Sequence, residues 1–174
     1  MIYTFDREAV ENGLDMVEPY ALISISTPPK FGVGGRSAHL LDEDKSSVIL
    51  LPDEFRLDVL RLRFNDMDAL PDLPPRLRAQ YSLYSTEQAN QVAAFVRGWQ
   101  VNLVIHCDAG VSRSQGMADA IADHLGVEVK HSWVGSPNRR VYAMTWHALR
   151  PGEDVDSAFG KPDAPRRPKY GIRW

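Results

Sequence analysis

A single cysteine, Cys107, stands among the 174 residues. That excludes an intrachain disulfide and any second thiol in the chain that could protect an oxidised Cys107. Long hydrophobic runs are missing too: nothing approaches the roughly 18 apolar residues of a membrane span, and the start, MIYTFDREAV, has neither a basic n-region nor an apolar h-region. Charge of one sign is not in excess, since 20 Lys and Arg face 23 Asp and Glu for a net charge of −3. No global pull toward nucleic acid or a membrane surface follows, and neither is an expected partner. The stretch FGVGG, Phe31 to Gly35, lacks both the Lys-[Ser/Thr] of a nucleotide phosphate loop and the full GxGxxG spacing, so it reads as a surface loop. The histidines His39, His124, His131 and His147 show no metal-ligand spacing with cysteine or carboxylate, and no metal or cofactor is expected. A reducing cytoplasm is the expected compartment. With 44% hydrophobic content, this length suffices for one core over residues 1–150.

The periodicities predict alternating strands and helices. Thr4 to Asn12 reads as a short helix capped by Thr4 or Asp6, with Gly13 beyond its end, covering a sheet edge. Tyr20 to Ser26 (YALISIS) reads as the first central strand, stopped by Pro28 and Pro29. Ser47 to Leu51 is a candidate short strand. Leu57 to Phe64 sets Leu60, Leu62 and Phe64 against Arg61 and Arg63, the pattern of a strand with one wet side. A proline- and Asp-rich loop from Asn65 to Tyr84 follows, with a helical turn around Arg76 to Gln80; a loop that long is usually functional. Ser85 and Gln88 have capping-box spacing, and Val92, Phe95, Val96 and Trp99 fall at i, i+3, i+4, i+7 of a helix. Met117, Ala120, Ile121 and Leu125 mark the buried face of another helix, ended by Gly126. The last helix, Asn138 to Leu149, opens with Asn138 as cap. Its Arg139 and Arg140 either line a pocket or form an exposed charged face. From Pro151 the chain reads as a proline-rich basic tail, 151–174. The fold class is α/β, a mostly parallel central sheet flanked by helices.

The chemistry concentrates in VNLVIHCDAGVSRSQG, Val101 to Gly116. A buried strand (Val101, Leu103, Val104, Ile105) runs into a turn-prone segment and then a helix opened by Ser112 or Ser114. Cys107 thus lies at a strand's C-terminal end just before a helix N-terminus, where free amides and the helix dipole gather anions and favour a thiolate. Six residues on, Arg113 offers a planar fork for two oxygens of a phosphate, while the amides of Asp108, Ala109, Gly110, Val111, Ser112 and Arg113 take the others. Nucleophile and anion clamp share one loop.

HCDAGVSRS, His106 to Ser114, resembles the H-C-x-x-G-x-x-R-[S/T] signature of cysteine-based protein tyrosine and dual-specificity phosphatases. His106, Cys107, Gly110, Arg113 and Ser114 fill its fixed positions. Given a cysteine, the other four would match by chance on the order of once in 10⁵ from average residue usage. The resemblance implies the small single-domain cysteine-phosphatase architecture and hydrolysis through a cysteinyl-phosphate. Its implied substrates are phosphoproteins, on phosphotyrosine and phosphoserine/threonine, or other phosphomonoesters, with phosphate, sulfate or vanadate as loop ligands. It implies that Ser114 assists breakdown of the intermediate and that His106 orders the loop. A departing oxygen needs a proton, so a carboxylic acid must face the thiolate. In the family this is an Asp on a loop after a neighbouring strand, a few dozen residues before the cysteine. Asp66 fits best, two residues past the last alternating apolar position, with Asp68 the alternative. Asp108 is expected at the rim, pointing outward and disfavouring polyanions. Other readings are a non-catalytic phosphate-binding module and a phosphatase of RNA 5′-phosphates or phosphoinositides. The latter enzymes place lysines in the loop, which this chain lacks. An arsenate-reducing relative would carry its loop near the N-terminus.

Overall fold

The computed structural model describes residues 1–28, 48–72 and 74–152. Its strands are β1 (Ile2–Phe5), β2 (Tyr20–Ser26), β3 (Arg56–Arg63), β4 (Asn102–His106) and β5 (Val129–His131). Its helices are α1 (Arg7–Glu11), α2 (Pro75–Arg78), α3 (Thr86–Arg97), α4 (Arg113–Leu125) and α5 (Arg139–Leu149). The strands form one sheet in the order β3-β2-β4-β1-β5, every neighbouring pair parallel. The α/β class with a parallel central sheet is therefore what the chain adopts.

A parallel sheet covered on both faces needs strands that are apolar throughout. All seven residues of β2 are buried. Ala21, Ile23 and Ile25 join Leu103, Ile105, Val92, Val96, Met117, Ile121 and Val141 in one core, which puts α3, α4 and α5 on one face. Tyr20, Leu22 and Val104 pack with Val10 of α1 and Val48 on the other. As an edge strand β3 keeps the expected alternation, Leu62 and Phe64 buried against exposed Arg61 and Arg63. The capping box at Ser85 is formed, Gly126 ends α4 in the left-handed conformation (φ 67°), and the Asn138 carboxamide accepts the Val141 N–H at 2.9 Å to cap α5.

Three expectations need correction. Thr4 is not helical: β1 occupies an interior position between β4 and β5, Thr4 pairing with Ile105 and His131, and Asp6 caps α1, which lies on a face of the sheet and not at its edge, by accepting from Ala9 N–H at 2.7 Å. Buried Ile2 and Thr4 alternate with half-buried Tyr3 and Phe5, but four residues are too few for that period to stand out. Val48 to Leu51 form no strand; Val48 packs into the second core and its carbonyl accepts the Arg61 guanidinium at 3.1 Å. Leu125 is 48% exposed, since α4 ends there and its contact with the core, made by Met117, Ala118, Ile121 and Ala122, stops short of it. Ser47, Phe31 to Gly35, His39 and the tail from 153 on lie outside the described residues. Among the described residues no helix is long and apolar enough to cross a membrane.

The topology locates the site. From β1 the chain steps across the sheet to β2 and β3, then reverses to β4 and β5. The helix after β1 covers one face and the helix after β4 the other, and open parallel sheets bind ligands at such a reversal, at the C-terminal ends of the adjacent strands.

Candidate active site

The loop after β4 stands at that reversal. Cys107 is 1% exposed, and alternation along β4 turns it to the helix side with Leu103 and Ile105, away from its neighbour His106. Its Sγ lies 3.2 Å from Ser114 Oγ, which belongs to the first turn of α4. Between them the chain turns at Gly110, where φ is +70° and a Cβ would come within 2.9 Å of the Asp6 nitrogen and 3.0 Å of the Phe5 carbonyl. Only glycine fits both the left-handed backbone and that approach. Among the described residues, no protein acceptor meets the backbone N–H groups of Ala109, Gly110, Val111, Ser112 or Arg113. Ser112 occupies the N-cap position of α4, but its side chain makes no cap bond; it donates to Asp66 Oδ1 at 2.9 Å. The loop thus carries a run of unclaimed amide donors at the positive end of a helix.

Arg113 is 4% exposed. Its Nη1 donates to Thr27 Oγ1 at 3.1 Å and to the Phe64 carbonyl at 2.8 Å, and its Nη2 donates to Asp108 Oδ2 at 2.7 Å. Thr27 Oγ1 in turn donates to the same Oδ2 at 2.5 Å. Arg113, Thr27 and Asp108 close a ring across the end of the guanidinium, with the Phe64 carbonyl beside it. Two donors are left over: the Nε–H, buried with no partner, and the second Nη2–H beside it. They form one straight edge, the geometry that meets two oxygens of a phosphoryl group. Asp108 therefore does not point outward. Burial pushes its carboxyl up, but the hydrogen bonds from Thr27 and Arg113 and the charges of Arg113 and Arg7 outweigh it and hold the group below its ordinary range.

The two candidate acids part company. Asp66, past the end of β3, accepts from Ser112 Oγ at 2.9 Å and from the Asn138 carboxamide at 2.8 Å, both on Oδ1. Oδ2 faces no protein donor among the described residues. Asp68 instead accepts the backbone N–H of Arg140 at 3.1 Å, in the first turn of α5. Arg140 is bound in return to the Tyr84 carbonyl at 3.0 Å, whereas Arg139 is exposed.

Several members of the site carried no motif. Asn138 is a cap in the sequence, yet it also holds Asp66 and donates its backbone N–H to the Ser112 carbonyl at 3.1 Å. Gln115 ties the Gly110 carbonyl (3.0 Å) to that of Trp133 (2.7 Å). Gly116 and Gly135 lie flush against Asn138 and Val111, where a Cβ would stand 2.5 Å and 2.1 Å from their carbonyl oxygens. Only their close approach in the fold reveals these partners.

His106 is fully buried on the α1 side, its Nε2 2.8 Å from Ser24 Oγ. Burial pushes the ring down to about 4, against the smaller upward pulls of the Cys107 backbone and Asp108. The unfolded chain takes this proton near 6.5, so protonation favours unfolding. Stability is full above that value and is lost as pH falls toward about 4, by on the order of 3 kcal/mol. The Asp108 contribution is lost lower, below the ordinary carboxylate value of 3.8. Urea unfolding at stepped pH between 7 and 4.5 should show this slope in the wild type and a clearly smaller one in His106→Gln. Equal slopes would remove His106 as the cause.

Comparison of the chain with protein-family models, with curated proteins and with solved structures returns no match.

Proposed function

We propose that the protein is a metal-independent phosphomonoesterase of the cysteine-phosphatase type, working through a cysteinyl-phosphate on phosphoproteins. The observation that carries this reading is the free Nε–Nη2 edge of the buried Arg113, in a loop of unclaimed amides whose base is Cys107. A phosphoryl group bound there presents phosphorus to Sγ.

The thiolate attacks in line; the S–P bond forms as the ester P–O bond breaks, and the departing oxygen takes a proton from Asp66 Oδ2. Charge that builds on the equatorial oxygens meets donors already in place. Asp66, now ionised, takes a proton from water as that water attacks phosphorus, and the P–S bond breaks to release orthophosphate and thiolate. A thiolate has no hydrogen to give, so across the 3.2 Å contact the Ser114 hydroxyl is the donor, and it stabilises sulfur as a leaving group. His106 acts only by fixing the loop's root through Ser24. The carboxylates Asp6, Asp66 and Asp108 around the loop, with no lysine within it, suit an isolated phosphomonoester on a protein better than a polyphosphorylated ligand.

The test is hydrolysis of an aryl phosphate in the presence of EDTA, followed by acid quench and mapping of phosphate on peptides. Chelator-resistant turnover with label on the Cys107 peptide is the expected result. Absence of both, with phosphate still bound, would leave a non-catalytic phosphate-binding module.

A further inference from the structure

We infer that Asp108 and Thr27 are positioning residues that hold Arg113 with its Nε–Nη2 edge turned to a tetrahedral oxyanion in the loop; the inference rests on the phosphate-site reading above. Simple electrostatics argues the other way. A carboxylate beside an anion site repels the anion, and its removal should tighten binding. The geometry decides against that simple view. An arginine is a long side chain with a flat, five-donor head, and a buried head turns until its donors are met. Here three points fix it: Thr27 just past β2, the Phe64 carbonyl just past β3, and Asp108 in the loop itself. Asp108 Oδ2 accepts from both Thr27 and Arg113, so one oxygen completes the ring.

The backbone of Asp108 is itself anchored. Its carbonyl accepts the Arg7 N–H at 3.4 Å, and Gly110, two residues on, is wedged against Phe5 and Asp6. With the Nη end occupied, the Nε–Nη2 edge is the only one left to meet a ligand. Without the ring the head is free to turn toward other acceptors, and two-point recognition falls to one. Asp108 thus contributes more through shape than it costs through charge.

The two contributions separate by substitution. Asn keeps an oxygen that can accept from both Thr27 and Arg113 but removes the charge, whereas Ala removes both. Thr27→Ser keeps the hydroxyl and Thr27→Val does not. Calorimetric titration of the full chain with inorganic tungstate, a tetrahedral dianion, is the measurement, with thermal unfolding of each unliganded variant beside it. Asp108→Ala and Thr27→Val should bind on the order of tenfold more weakly than wild type. Asp108→Asn should bind at least as tightly as wild type, and Thr27→Ser within about threefold of it. Asp108→Ala binding as tightly as wild type, or more tightly, overturns the inference, as does an equal loss in Asp108→Asn and Asp108→Ala. Thr27→Val is the second arm should Asp108→Ala fail to fold. Failure of the phosphate-site reading looks different: wild type itself then takes no tungstate, and the inference falls with it.

Discussion

Cys107→Ser is expected to lose hydrolysis of an aryl phosphate by on the order of 10⁴ or more, while its affinity for tungstate stays within a few-fold of wild type. A serine hydroxyl becomes a competent nucleophile only when a base takes its proton in the attack. Among the described residues, no such base contacts residue 107. Its polar side-chain contact is the Ser114 hydroxyl at 3.2 Å, and the rest of its neighbourhood is the apolar core under α4. The one adjacent imidazole is unusable: alternation along β4 puts His106 on the other face of the sheet, where it bonds Ser24. A thiolate needs no base, and that is the whole difference between the two atoms here. In the proposed site oxyanion binding rests on the loop amides and on Arg113, neither of which the substitution removes. Steady-state assays set beside calorimetry check both halves. Turnover that survives in Cys107→Ser would mean that sulfur is not the nucleophile, and loss of binding as well would mean that the thiolate itself helps to shape the loop.

What the chain discloses in one dimension follows from how far apart the partners lie. Cys107, Gly110 and Arg113 sit within seven residues, so their spacing alone points to one loop that carries both a thiol and a guanidinium. Ser85 with Gln88, and Asn138 with Val141, are equally local, and their caps form as the spacing implies. The strands β1 and β5 are different. At four and three residues they are too short to show a period, and β1 is a strand because Leu103 to His106 and Val129 to His131 flank it, far along the chain. Asp108 shows the same limit at the site. From the sequence it is a charged residue at a loop rim, and the Thr27 hydroxyl that draws it inward is 81 positions away. Asn138 was legible as a cap but not as the group that holds Asp66, since one carboxamide does both through opposite ends.

Asp66→Asn is expected to slow hydrolysis of esters with poor leaving groups, such as phenyl phosphate or a phosphoserine peptide, by about 10²–10⁴. An aryl phosphate whose phenol is strongly acidic should slow far less. The reason lies in what the substitution keeps. The bonds from Ser112 and Asn138 fall on Oδ1, and asparagine supplies an oxygen that can accept both, so the loop stays pinned. What disappears is Oδ2 and its proton. A leaving oxygen that is stable as an anion scarcely needs that proton, and one that is not cannot depart without it. Only a general acid gives a loss that grows with the basicity of the leaving group; a variant that merely distorts the loop slows every substrate alike. Asp68→Asn supplies the contrast. Its carboxylate meets the first turn of α5 rather than the loop, so its substitution should cost at most about 1 kcal/mol of stability and leave the leaving-group dependence parallel to wild type. Should the steepened dependence appear in Asp68→Asn instead, the proton comes from Asp68. The hydrogen bonds to Asp66 would then serve only to join the loop to β3 and α5.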